Sequence, residues 1–215
     1  MTSPLFNRRH FTASLLPLAA AGHALAAAPA SRKILVLGDS LSAEYGLPRG
    51  SGWVALLQQQ LDASHPGTQV VNASISGETT SGGRSRLPAL LRQHQPTHVV
   101  IELGGNDALR GLPLDMTREN LGFLLRTSRE AGARVLLLGM QMPPNYGGDA
   151  TRRFAALYPA LAKQHGAALV PFFLQGVGDD PDPTRWFQAD RIHPNQAAQP
   201  RLLANVWPEL KKLLA

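Results

Sequence analysis

The sequence contains no cysteine, and this absence excludes disulfide bonds, thiolate metal sites and cysteine nucleophiles. Aromatic residues are also scarce, at 6% of the 215 residues, so we expect a core built mainly from aliphatic side chains. Charged residues make up 17% and hydrophobic residues 44%, a balance typical of folded globular proteins and not of disordered chains. A chain of this length is long enough for one domain with a sizeable core.

Acidic residues are fewer than basic ones, 15 against 21, which gives a formal net charge of +6. A basic balance can indicate a nucleic-acid partner, but such partners need the charge to be concentrated on one segment or face. The arginines of this sequence are scattered, and no run of five basic residues occurs. We therefore predict a solvated basic surface and no nucleic-acid partner.

Long hydrophobic runs are confined to the N-terminus, where the segment has the features of an export signal. Arg8 and Arg9 precede a largely apolar stretch over residues 11–21, and small residues follow over 24–28. This order is typical of a basic region, an apolar region too short to span a bilayer, and a cleavage site. The pattern predicts a signal peptide over residues 1–28.

The signal predicts a periplasmic or secreted bacterial protein. Residues 7–11, NRRHF, resemble a twin-arginine signal, although Ala13 stands where such signals usually carry a lysine. The alternative is an uncleaved N-terminal anchor helix. After cleavage we expect no stable membrane insertion and a single domain over residues 29–215.

Downstream of residue 28, short apolar runs alternate with segments in which apolar residues recur at helical spacing. The predicted strands cover residues 33–38, 69–73, 98–103, 134–139 and 168–173, and the predicted helices cover 52–61, 85–94, 117–131, 151–165 and 194–214. Strands that alternate with helices predict an α/β domain with a five-stranded parallel sheet and helices on both faces. Ligands of such sheets bind beyond the carboxyl ends of the strands.

Ser40 follows the first predicted strand directly, within the tetrapeptide GDSL at residues 38–41. A serine at a strand-to-loop turn is exposed, and Gly38 is expected to let the chain bend sharply there. Serine is a weak nucleophile and needs a neighbouring base. The alternative is structural, because Asp39 and Ser40 also suit a helix cap or an Asx turn.

Gly77 and Asn106 follow the second and third predicted strands. A glycine in such a loop can offer its backbone N–H to a ligand with no side chain in the way. Asn106, after the glycine pair 104–105, can donate from its amide to an oxyanion that develops during reaction. Both segments are also typical of ordinary turns.

Asp190 and His193 lie before the last predicted helix, three residues apart. This separation allows the carboxylate to orient the imidazole while the other ring nitrogen faces a serine. Pro194 suits the first turn of the helix that follows. The alternative is that Asp190 caps this helix and His193 is a surface residue.

Taken together, these blocks resemble the SGNH (GDSL-type) hydrolases, a family named for the serine, glycine, asparagine and histidine that stand here as Ser40, Gly77, Asn106 and His193. The resemblance covers nearly the whole mature chain and is strongest to the bacterial thioesterase I, lysophospholipase and arylesterase group. It implies a three-layer α/β/α sandwich of the flavodoxin-like type. It also implies an oxyanion hole made by the backbone N–H groups of Ser40 and Gly77 and by the Asn106 amide. Pro200 departs from the family pattern and is expected to disturb the start of the last helix.

Apolar, proline-rich segments over residues 111–114 and 140–146 follow the third and fourth predicted strands. They are suited to line an acyl channel, in which methionine adapts to chain length, or else only to pack the domain edge. The candidate substrate-binding residues are Asp39, Leu41, Leu109, Leu112, Met142, Pro143, Asn145 and Tyr146.

The resemblance implies a serine esterase that hydrolyses small-molecule acyl esters or thioesters, among them aryl esters, acyl-CoA and lysophospholipids. A carbohydrate acetylesterase and a non-catalytic periplasmic binding protein are the alternatives. We expect no cofactor and no metal, because the histidines outside residues 190–193 lack the spacing of metal ligands. The phosphate-binding loops and the G-x-S-x-G elbow of α/β-hydrolases are also absent from the sequence.

Overall fold

The computed structural model of the chain describes Met1 and residues 32–142 and 147–215. Apart from Met1, the predicted signal peptide over residues 1–28 therefore lies outside the described residues. The residues from Ser31 to Ala215 cluster into one unit.

In the part of this unit that the structure describes, five strands form one sheet. They are β1 Lys33–Gly38, β2 Gln69–Asn72, β3 His98–Glu102, β4 Arg134–Leu138 and β5 Ala168–Val170. The strands are all parallel and lie in the order β2-β1-β3-β4-β5. The predicted five-stranded parallel sheet is confirmed. Aliphatic side chains of the central strands are fully buried, as the apolar runs of a sheet covered on both faces require.

The described residues contain six α-helices, five of which pack against the sheet. They are α1 Trp53–Ser64, α2 Thr80–His94, α3 Gly105–Leu109, α4 Leu114–Glu130, α5 Gly148–His165 and α6 Gln199–Leu214. Helices α1 and α6 pack against each other, while α4 packs against both α2 and α5. These two groups form the outer layers, so the three-layer α/β/α prediction is confirmed.

Strand β5 ends three residues earlier than predicted, at Val170. Pro171 follows, and proline has no N–H with which to continue the ladder. The chain stays beside β4 by other bonds, because Gly139 donates to the Val170 carbonyl and Phe173 donates to the Gly139 carbonyl, both at 2.8 Å.

The predicted helix over residues 194–214 is wrong at its start. Pro194 is not in a helix and pairs instead with Phe187 in an isolated antiparallel bridge. The Asn195 side chain then caps a short 3-10 helix, Gln196–Ala198, and α6 begins only at Gln199. Pro200 therefore lies in the first turn of α6, where its missing N–H has no helical partner to lose. A helix that began at residue 194 would have Pro200 in its interior, so the later start agrees with the expected disturbance by Pro200.

The strand order determines where the candidate site forms. Strand β1 lies between β2 and β3, with Gly38 paired to Glu102 in register at the carboxyl edge. The segments that follow these three neighbouring strands carry Ser40, Gly77 and Asn106. The tertiary fold therefore brings together side chains that are far apart in the sequence.

Candidate active site

Ser40 and His193 meet although 153 positions separate them in the sequence. The Ser40 Oγ lies 2.9 Å from the His193 Nε2. Ser40 sits in a turn directly after β1, where the Asp39 side chain accepts a hydrogen bond from the Leu41 N–H at 3.0 Å. The Asx-turn alternative thus describes Asp39 correctly, and it leaves the Ser40 hydroxyl free to face the imidazole.

Gly38 is needed for a reason other than the expected sharp bend. It belongs to β1 and does not have a positive φ. A Cβ atom at Gly38 would lie 2.8 Å from the Glu102 Oε2 and 2.9 Å from the Ser42 Oγ. The glycine therefore makes room for two polar side chains packed beneath the turn.

Asp190 holds His193 from the other side of the ring. The His193 Nδ1 lies 2.6 Å from one carboxylate oxygen of Asp190. The other oxygen accepts the backbone N–H groups of Ile192 and His193 at 2.9 and 3.0 Å. Desolvation alone would raise the pKa of Asp190, but these hydrogen bonds outweigh it and lower the pKa to about 2. The carboxylate is therefore ionised in the pH range of most enzymes.

Two residues that the sequence analysis did not assign to the site join its loops. The Gln188 side-chain amide donates to the Tyr45 carbonyl at 2.8 Å and to the Pro194 carbonyl at 3.2 Å. The Tyr45 ring packs on the His193 ring, with the centroids 4.3 Å apart. No local pattern in the sequence signals the two contacts made by Tyr45, because both join segments more than a hundred residues apart.

Asn106 stands on α3 and is oriented by Asp39. Its Nδ2 donates to the Asp39 Oδ2 at 3.0 Å, which leaves the second amide hydrogen available. Gly104, just before α3, has a φ of 114°, and a Cβ there would lie 2.4 Å from the Tyr158 Oη. The positive φ and this contact both require a glycine at position 104.

Gly77 lies in a tight turn beyond β2, with a φ of 78°. The Arg110 guanidinium donates to its carbonyl at 2.8 Å, which couples this turn to the end of α3. Buried Asp107 of α3 also binds the start of α2, because it accepts hydrogen bonds from the backbone N–H and the hydroxyl of Thr80 at 2.9 and 2.5 Å. Among the hydrogen bonds of the described residues, none uses the backbone N–H of Gly77 or of Ser40. Both N–H groups are therefore available to a ligand.

Asp39 is almost fully buried, with 2% of its surface exposed. Burial raises the pKa of this carboxyl to about 6, although hydrogen bonds from Leu41 and Asn106 oppose the rise. Asp39 thus titrates near pH 6. It is also the residue that links the Ser40 turn to the Asn106 amide.

A cavity of about 760 Å³ opens beside Ser40 and His193. Four predicted substrate-binding residues, Asp39, Leu41, Leu109 and Met142, line it. Leu112 instead lines a smaller neighbouring cavity of about 340 Å³, which shares Met142 with the larger one. Pro143, Asn145 and Tyr146 lie outside the described residues.

The sequence analysis missed most of the apolar wall of this cavity. The wall includes Phe154 of α5 and four residues of later loops, Phe172, Leu174, Phe187 and Ile192. Ile192 stands beside His193 in the sequence, but the other residues belong to no motif and come from segments that only the fold brings beside the site. With its apolar wall and few polar groups near Ser40, the cavity is of the kind and size that bind small organic ligands.

Within residues 32–142 and 147–215, no group of three or more histidine, aspartate or glutamate side chains is arranged to hold a metal ion. Over the same ranges, no helix combines the length and the apolar character that crossing a membrane requires.

The fold and the site together define a serine hydrolase centre, with a hydroxyl, an imidazole and a carboxylate in one chain of hydrogen bonds at the carboxyl edge of a parallel sheet. The model of the GDSL-like lipase/acylhydrolase family matches residues 36–200, and the chain belongs to this family.

Individual relatives agree with the family match. Esterase TesA of Pseudomonas aeruginosa is 54% identical over 185 residues, which are 86% of this chain and 90% of that protein. A protein of Escherichia coli (strain K12) named thioesterase 1/protease 1/lysophospholipase L1 is 46% identical over 187 residues, 87% of each chain. The crystal structure of the psychrotrophic esterase EstA from Pseudoalteromonas, inhibited by monoethylphosphonate, has a TM-score of 0.79 and 42% identity, and the match covers 85% of this chain and 98% of that one. The chain is an ester-bond hydrolase.

Proposed function

We propose that Ser40 is the nucleophile of an acyl-transfer reaction, with His193 as its general base and Asp190 as the group that orients His193. The observation that carries this proposal is the continuous chain of contacts from the Ser40 Oγ to the His193 Nε2, at 2.9 Å, and from the His193 Nδ1 to Asp190, at 2.6 Å. An ionised Asp190 holds the proton of the imidazole on Nδ1, so that Nε2 is free to accept the serine proton.

The reaction proceeds in two halves. The Ser40 Oγ forms a bond to the carbonyl carbon of the substrate while its proton passes to the His193 Nε2. When the tetrahedral intermediate collapses, the bond to the leaving oxygen or sulfur breaks, and His193 returns the proton to that atom. Water then repeats the sequence on the acyl-Ser40 ester and releases the carboxylic acid.

The oxyanion of each tetrahedral intermediate is proposed to lie against the N–H groups of Ser40 and Gly77 and the second amide hydrogen of Asn106. The assignment of the two backbone donors is supported by the fact that, in the described part of the chain, no protein acceptor uses their N–H groups. Asp39 fixes the Asn106 amide in advance, and a donor oriented in advance stabilises developing charge at no cost of reorganisation.

The acyl group of the substrate is proposed to occupy the 760 Å³ cavity. Its wall of leucine, methionine and phenylalanine side chains favours an acyl chain over an acetyl group, and so favours esters and thioesters over carbohydrate acetyl esters. The names of the relatives, an esterase and a thioesterase 1/protease 1/lysophospholipase L1, add acyl thioesters and lysophospholipids as candidate substrates. The segment over residues 1–28 supports export to the periplasm or the exterior.

A series of p-nitrophenyl esters of increasing chain length, run beside acyl-CoA and a lysophospholipid, tests the proposal. We expect activity on medium or long acyl chains, and none with Ser40→Ala, which should also fail to react with a fluorophosphonate. Activity restricted to acetyl esters would contradict the acyl site, and labelling of Ser40→Ala would contradict the nucleophile.

A second variant tests the cavity itself. Leu174→Trp places a larger side chain in the cavity wall and should move the preferred chain length downwards. Leu213→Trp is the matched control, because Leu213 is a half-buried leucine of α6 that does not line the cavity. Equal chain-length profiles for the two variants would place the acyl chain elsewhere.

A further inference from the structure

Glu102 ends β3 directly beneath the turn that carries the proposed nucleophile, and none of its surface is exposed. Its Oε2 accepts two hydrogen bonds, from the Asp39 N–H at 3.3 Å and from the Ser42 hydroxyl at 2.8 Å. The Trp53 Nε1 donates to the same Ser42 hydroxyl at 3.1 Å. An indole N–H can only donate, and among the described residues the Glu102 Oε2 is the only acceptor that the Ser42 hydroxyl has. The Ser42 proton therefore points to Glu102, and Oε2 is an acceptor in both of its contacts.

The other oxygen of Glu102, Oε1, is buried and receives no N–H or O–H donor from the described residues. The Asp39 carboxyl is a close neighbour of the Glu102 carboxyl, because the Asp39 backbone N–H is bonded to the Glu102 Oε2 and the Asp39 charge raises the pKa of Glu102. If both of these buried carboxyls were ionised, their charges would repel each other and the Glu102 Oε1 would have no donor. That state would be strongly unfavourable. A proton on Oε1 removes this conflict, because it turns a surplus acceptor into a donor for Asp39.

We propose that Glu102 is a neutral carboxylic acid that donates its proton to the Asp39 carboxylate and thereby acts as a positioning residue for the reaction. Through Oε2 it holds the backbone of the Ser40 turn, and through its proton it keeps Asp39 ionised. Asp39 in turn accepts from Leu41 on that turn and from Asn106. One buried acid thus sets the relative position of the nucleophile and the side-chain donor of the oxyanion hole.

The surrounding charges agree with this assignment. Burial raises the pKa of Glu102 well above its ordinary value, and the neighbouring Asp39 raises it further. The other ionisable groups around this pair of carboxyls are His193, which faces Asp39, and Tyr158 and Asp107 from the helix layer. Burial raises the pKa of Tyr158 well above its ordinary value, so the phenol is neutral and adds no charge beside Glu102.

Infrared spectroscopy with isotope-labelled glutamate tests the proton directly, without using activity. At about pH 8, where ordinary glutamates are ionised, we expect a C=O band of a protonated glutamate in the wild type and in Glu119→Gln, an exposed control on α4. The band should be missing in Glu102→Gln. A wild type without the band, or a band that survives in Glu102→Gln, would overturn the assignment.

Kinetics test the positioning role, which rests on the proposed roles of Ser40 and Asn106. Glu102→Gln keeps an acceptor and a donor in place, so its kcat should stay within about threefold of the wild type, whereas Glu102→Leu should lose about tenfold to a hundredfold in kcat with little change in KM. In Glu102→Leu, Asp39 also loses a hydrogen-bond donor, which raises its pKa. The acid limb of the kcat/KM profile, where activity falls as the pH is lowered, should therefore move to higher pH. A Glu102→Gln enzyme as slow as Glu102→Leu, or an unmoved limb, would refute the role. The infrared result does not depend on catalysis, so it separates failure of this proposal from failure of the catalytic assignment.

Discussion

The Gln188 side chain joins the loop of the proposed base to the loop of the proposed nucleophile, because its amide donates to the Tyr45 carbonyl at 2.8 Å. The contact is closely packed, since a Cβ at the neighbouring Gly46 would lie 2.0 Å from the Gln188 Oε1. Gln188 also binds its own loop, through the Pro194 carbonyl and through its backbone N–H to the His193 carbonyl. The position of His193 over Ser40 therefore depends on a residue with no chemical role.

Replacing this glutamine tests that dependence. Gln188→Ala removes two hydrogen bonds worth about 1 kcal/mol each, so we expect kcat/KM to fall by about five- to tenfold and the melting temperature to drop by a few degrees. Gln59→Ala, at an exposed glutamine of α1, should change neither quantity. Wild-type activity in Gln188→Ala would show that the His193 loop holds its position without this bond.

Asn106→Ala tests the side-chain donor of the proposed oxyanion hole. Removing one such donor costs on the order of 3 kcal/mol in the barrier, so we expect kcat to fall by about a hundredfold or more while KM changes little. Steady-state kinetics with a p-nitrophenyl ester provide the measurement, with circular dichroism as the check on folding. An unchanged kcat would remove Asn106 from the oxyanion hole.

Gly104→Ala and Gly105→Ala form a matched pair for the backbone at α3. At Gly104 an alanine is strained by the φ of 114° and meets the Tyr158 Oη at 2.4 Å, whereas at Gly105 the nearest atom is 3.6 Å away. We expect the first variant to lose about 2–4 kcal/mol of unfolding free energy and the second to lose almost none. Urea denaturation of both variants measures the difference, and similar losses would show that α3 tolerates a side chain at either position.

Asp39→Asn tests the charge buried beneath the site. Burial raises the pKa of Asp39 from 3.8 to about 6, so the folded state binds a proton more tightly than the unfolded state. The stability contributed by this group is fully present below about pH 4 and is lost as the pH rises through about 6.

The stability of the wild type relative to Asp39→Asn should therefore fall by up to about 3 kcal/mol between about pH 4 and pH 7. Urea denaturation across this range measures the change. A constant difference between the two proteins would mean that Asp39 does not titrate in this window. Asp39→Asn should also lower kcat, because Leu41 and Asn106 donate to different oxygens of Asp39 and an asparagine offers only one acceptor oxygen.

The sequence by itself determined the succession of strands and helices along the chain and the candidate residues beside the strand ends. These features are local: an apolar run of strand length specifies a buried strand, and a motif such as GDSL lies next to the strand that positions it. The errors arose where local signals compete, as at Pro171, which ends β5 early, and at Pro194, which stands outside the final helix.

Tertiary structure alone decided which distant residues complete the site. The cavity wall of Phe154, Phe172 and Leu174, the Gln188 contact to Tyr45, and the burial of Glu102 beneath Asp39 all join segments far apart in the chain. No spacing rule encodes such contacts, because they arise from how the strands are ordered and how the helices pack over them. The sequence therefore specified the chemical groups, and the packing of the sheet and its loops specified their environment, which sets their pKa values and their partners.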